Sequence, residues 1–123
     1  MEREQLIDIV EYCLKQWKNH ELPWCEFKTN FHSPEEIGQN ISAISNITRI
    51  LDRSDGYVIF WVEPSNHSVI GTKFNYQTQK WKWNEDMLPW LIRKLERFSR
   101  FNFYEIENYT EEKRIVILII SAA

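Results

Sequence analysis

Two apolar periodicities alternate along this chain, and their order limits what it can fold into more than any single motif does. Residues 3–17 set Leu6, Ile9, Val10, Cys13, Leu14 and Trp17 at three- and four-residue spacings. That is the period of one buried helical face, and it predicts a first helix packed on a sheet. Pro23 forbids helical continuation and biases Leu22 toward extended geometry, after which "WCEFKTN" alternates. Cys25, Phe27 and Thr29 then point one way, and Trp24, Glu26, Lys28 and Asn30 the other. A second helix is announced by Ser33 as its cap, Pro34 at its first position and Glu36 completing a capping box. Ile37, Ile41, Ile44 and Leu51 form its core stripe with Thr48 between them. Gln39, Asn40, Ser42, Ser45, Asn46 and Arg49 are left outside, a face that is nearly uncharged.

The rest of the chain continues the alternation. In "LDRSDGYVIFWVEP" the Asp55-Gly56 pair reads as a turn, residues 57–62 as a strand, and Pro64 as its stop. Val58, Phe60 and Val62 would share one side, Tyr57, Ile59, Trp61 and Glu63 the other. "SNHSVIGTKF" follows as a turn and a second strand of a hairpin. A third helix starts near residue 86 with Met87, Trp90, Leu91, Leu95 and Phe98 inward, Pro89 being tolerable only in its first turn. "RFNFYEIENYTEEKRIVILIISAA" gives two strands about a turn near Tyr109–Glu112. The predicted order is α-β-α-β-β-α-β-β. It argues for an α/β (α+β) domain, a mixed sheet with helices covering it.

Length and composition bound the function. At 123 residues the chain is one domain's worth, and 43% hydrophobic residues suffice for a core. The formal net charge of −3 means that a nucleic-acid binder needs a local basic patch rather than a basic average. Cys13 and Cys25 make neither a CxxC pair nor a disulfide framework, which implies a reducing, cytoplasmic setting. The acidic, amphipathic start is unlike a signal peptide, and the longest apolar run, "IVILII" at 115–120, is far short of a membrane span. His20, His32 and His67 show no metal spacing, and with only Gly38, Gly56 and Gly71 neither a P-loop nor a GxGxxG fingerprint can be built. The chain ends on a strong strand without a closing helix or polar tail, which suggests a domain cut from a longer protein or a very short natural one.

Several residues carry candidate chemistry, each with a plainer structural reading beside it. Lys28 suits a phosphate as a point charge and Asn30 as a neutral donor. Lys28 equally suits the shielding of an edge strand. The asparagine and serine face of the second helix can hydrogen-bond bases or phosphates, pack on a partner subunit, or cap the next loop. Residues 77–100 hold six basic residues against three acidic ones, with Trp81 and Trp83 interleaved with Lys80 and Lys82. Such alternation fits single-stranded nucleic acid, where bases stack and cations hold phosphates, and it also fits an amphipathic strand with its tryptophans inward. Residues 1–27 carry six acids and three bases, so charge is asymmetric along the chain.

"CEFKTNF", "EEIGQNISAISN" and "GYVIFWVEPSNHSVIGTKF", in this order and spacing, resemble the Schlafen-type AlbA-like domain over about residues 21–74. The resemblance implies that family's fold and a DNA-binding role of the kind found in bacterial transcriptional regulators. In animal Schlafen proteins the related domain is a metal-dependent RNase acting on tRNA and rRNA, with three carboxylates that fall by position on Glu21, Glu26 and Glu63. Gathered at strand ends, such acids would hold Mg²⁺ or Mn²⁺ to polarise a phosphate and activate water. Pro64 stands where that family often has a second acid, and "SNITRILDRSDG" replaces its usual N-T-x-G-G. Without metal chemistry, Glu21 is solvated, Glu26 pairs with Lys28 or a neighbouring strand, and Glu63 sits in a turn.

The sequence therefore predicts a nucleic-acid-binding domain, DNA or RNA, that needs no cofactor for binding, has no membrane partner and can form a homo-oligomer. Its candidate contacts are Lys28, Asn30, Arg49, Lys73, Lys80 and Lys82, with Trp81 for stacking. The alternatives are a metal-dependent endoribonuclease built on Glu21, Glu26 and Glu63, and a protein-interaction or dimerisation domain that docks a partner through exposed aromatics.

Overall fold

Leu6, Val10 and Cys13 are buried along one side of α1 (Arg3–Trp17), the stripe that the spacing predicts. After it come β1 (Cys25–Lys28), α2 (Pro34–Ile50), β2 (Asp55–Phe60), α3 (Met87–Leu95), β3 (Phe101–Thr110) and β4 (Lys113–Ser121). The computed structural model describes residues 1–17, 22–29, 33–60, 62, 71, 75–80, 85–95, 100–110 and 112–123. The expected strand in "SNHSVIGTKF" lies, Gly71 apart, outside them, as does Phe98. The other elements follow in the predicted order.

The four strands form an open mixed sheet in the order β1-β2-β4-β3. β1 and β2 are parallel and joined through α2, whereas β4 runs antiparallel to both of its neighbours. Each face of the sheet carries an apolar cluster. On one face Leu6, Val10 and Cys13 of α1 meet Phe27, Ile59 and Ile117. On the other, Ile37, Ile41 and Ile44 of α2 and Met87 and Leu91 of α3 meet Val58, Phe60 and Leu118. The interior strand β4 is covered on both sides, so Ile115, Ile117 and Ile119 face α1 while Val116, Leu118 and Ile120 face α2 and α3. This position accounts for the unbroken "IVILII": a strand with no solvated face has no place for alternating polar residues. Each such side chain taken fully out of water contributes roughly 1.5–3 kcal/mol.

Four sequence expectations are corrected by the packing. Trp24 is buried with Cys25 on the α1 side instead of pointing away with Glu26, because it sits in the turn before β1, outside the strand's two-residue period. Val62 joins the same α1-side cluster and not Val58 and Phe60, since β2 ends at Phe60 and the alternation ends with it. In α2, Ser45 is buried and Leu51 is exposed, the reverse of the expected assignment. Leu51 is the helix C-cap, past the last turn that faces the sheet. Finally, Asp55-Gly56 is no turn.

The chain reverses earlier, through a left-handed residue after α2. Asp52 has φ 57°, its N–H donates to Arg49 O at 3.0 Å, and the Arg53 N–H donates to Thr48 O at 2.9 Å. These are the two bonds of a Schellman ending, with Asp52 where glycine is commonest. Gly56 instead lies inside β2, and its role is close approach. A Cβ there would stand 2.4 Å from Ile44 Cγ2, 2.6 Å from Thr48 Oγ1 and 2.9 Å from the Trp24 carbonyl oxygen. Absence of a side chain is what lets α2 rest on β2.

Candidate nucleic-acid interface

Ser33 fixes where α2 begins: its hydroxyl accepts from the Glu36 backbone N–H at 3.1 Å, with Pro34 opening the helix. Since Cys25 and Phe27 face α1, Glu26 and Lys28 take the other side of β1, where the first turn of α2 begins. Lys28 Nζ donates to Glu36 Oε1 at 2.6 Å and stands 3.7 Å from Glu26 Oε1, with its side chain only 17% exposed. Two carboxylates thus hold this lysine, and a phosphate reaching it must displace or share Glu36. Pairing of Glu26 with Lys28 is the plainer of the two sequence readings of that acid.

The remaining predicted residues are dispersed. Arg49 is exposed in the last turn of α2, thirteen residues beyond Glu36 and so about 20 Å away along the helix axis. Lys80 pairs with Asp86 at 2.7 Å just before α3. Asn30, Lys73, Trp81 and Lys82 lie outside the described residues, as do Glu21 and Glu63. Among the described residues no three His, Cys, Asp or Glu side chains come together as a metal-ligand set. Nor does any described helix have the length and apolarity to cross a membrane.

A more continuous feature runs along α2. Glu35, Gln39, Ser42, Asn46 and Arg49 follow one another at steps of three and four residues, so they share one stripe of the helix. The buried stripe of Ile37, Ile41, Ile44 and Thr48 turns that polar row sideways, toward α3. There Glu35, Gln39, Ser42 and Asn46 form one wall of a groove of about 630 Å³, whose other wall is Trp90, Leu91, Lys94 and Leu95, while Arg49 lies beyond it. Gly38 and Ala43 are small enough to leave the space open. Arg49 and Lys94 are exposed and make no ion pair with a described residue.

Gln39, Ser42 and Asn46 belong to the polar face that the sequence singles out, whereas the spacing assigns Trp90 to the core and gives Lys94 no role. Their four-residue spacing on an amphipathic helix was the available signal, since i and i+4 project to the same side. Chemically the groove offers amide and hydroxyl donors and acceptors, apolar surface that includes Trp90, and an ammonium group, with one carboxylate, Glu35, at its border.

No family model matches the chain, and no curated protein matches it.

Proposed function

We propose that this chain is a nucleic-acid-binding module, with DNA as the first ligand to test and a transcriptional regulator as its natural setting. The observation that carries the reading is the row Gln39, Ser42 and Asn46, faced across the groove by Trp90 and Lys94, with Arg49 continuing the same row of α2 beyond the groove. Neutral amides and hydroxyls bond to bases and phosphate oxygens alike, and the two cations supply the local positive charge that a chain of net charge −3 lacks on average. The motifs that resemble the Schlafen-type AlbA-like family run through the same helix, Ser42 and Asn46 included.

Fluorescence anisotropy against labelled duplex DNA and tRNA at 50 and 200 mM salt tests the proposal. Binding should weaken steeply with salt. The double substitution Arg49→Ala with Lys94→Ala should weaken it further on every sequence and lower the slope of log K against log salt by about 1–2, the share of two phosphate contacts. Absence of salt-sensitive binding to either nucleic acid would overturn it.

A further inference from the structure

We infer that the groove between α2 and α3 seats one unpaired nucleotide of a nucleic-acid strand, its base against Trp90 and its phosphate beside Lys94; this rests on the nucleic-acid reading above. Size gives the first argument. A groove of about 630 Å³ is of a size to take a single small-molecule-sized group, held against its floor and walls and open to solvent on one side. A duplex keeps its bases stacked and paired inside and cannot place one in such a groove without flipping it out, at a cost of a few kcal/mol that an unpaired strand does not bear.

The lining gives the second. A base has two apolar faces and a polar rim. The α3 wall presents indole and leucine surface from Trp90, Leu91 and Leu95, and the α2 wall presents Gln39, Ser42 and Asn46. An unpaired base uses both at once, stacking on the aromatic side while its edge exchanges hydrogen bonds with the amides. A paired base hides one edge and both faces. Charge points the same way, since Lys94 makes no ion pair with a described residue, whereas beside the neighbouring surface of Leu88, Pro89 and Ile92 the guanidinium of Arg93 is already held by Glu85.

The test compares a labelled twelve-nucleotide single strand, made as DNA and as RNA, with the same DNA annealed to its complement, using the full chain. The single strand should bind at least tenfold more tightly than the duplex. Trp90→Leu should lower single-strand affinity by roughly 5- to 150-fold, the range of one base–aromatic stack, while Trp90→Phe retains most of it. Because Trp90 also borders the core, Asn46→Leu provides an independent arm: it fills the groove from an exposed helical position and should abolish single-strand binding with an unchanged circular dichroism spectrum. Equal binding of duplex and single strand, with Asn46→Leu without effect, would overturn the inference and leave the nucleic-acid module standing. No binding of any of the three would remove both.

Discussion

Ser45 shows how one hydroxyl can be misplaced by pattern and explained by geometry. Its Oγ donates to the Ser121 carbonyl at 2.9 Å, and its own carbonyl accepts from the Ala123 N–H at 3.2 Å. α2 is thus tied to the end of β4 across a distance of 76 positions in sequence. Ser45→Ala removes the donor and leaves a sheltered carbonyl short of a partner, which should cost about 1 kcal/mol. A urea melt should show this as a lower midpoint with an unchanged slope; an unchanged midpoint would mean that water serves Ser121 equally well. Local reasoning put Ser45 outside because serine on an amphipathic helix is usually solvated, and no helical period reveals that a strand end will arrive beside it. Lys28 was half legible: its side of β1 followed from alternation, but its clamp by Glu36 depends on where α2 starts in space.

At the scale of elements, the helices and strands were legible because each carries a strong local signal: the Ser33 cap, the four-residue stripes, the apolar run of β4. What the signals did not carry is how the elements approach one another. Asp55-Gly56 has the composition of a turn, yet the reversal is built by Asp52 in the left-handed region, and Gly56 serves the contact between α2 and β2. Gly56→Ala therefore tests packing and not turn geometry. The added methyl would collide with Ile44, with Thr48 and with the backbone oxygen of Trp24, and the last of these cannot rotate away. A loss of about 1–3 kcal/mol or more is expected from such overpacking, measured by chemical denaturation. Were Gly56 a turn residue with an open neighbourhood, alanine would be neutral or slightly stabilising through the unfolded chain. The candidate interface has the same history, since its α2 wall was visible as an uncharged row while its α3 wall depended on Trp90 and Lys94 arriving opposite.

For the whole molecule, two covered sheet faces mean that ionisable groups with apolar bodies are drawn partly out of water, and this links folding to pH. Burial pushes up the Cys25 thiol and the Tyr57, Tyr76 and Tyr109 phenols, with Asp55 adding to the rise at Tyr57 and Glu11 to that at Tyr109. Tyr57 moves from 10.0 to about 12. The groups lie on both sides of the sheet, Cys25, Tyr57 and Tyr109 with the α1 cluster and Tyr76 with the α2 and α3 cluster. A group whose folded-state value is raised holds its proton in the native chain at a pH where the unfolded chain has released it. Its contribution is fully present below the unfolded value and is lost as pH climbs through the folded one. The contribution from Tyr57 is therefore intact at pH 9 and should decline between pH 10 and 12. Tyr57→Phe cannot ionise, so the same denaturation series should fall less steeply over that window than in the parent chain. Parallel curves would mean that the phenol reaches water in the native state and that the burial of Tyr57 against α1 is looser than its place beside Trp24, at 6.0 Å between ring centroids, implies.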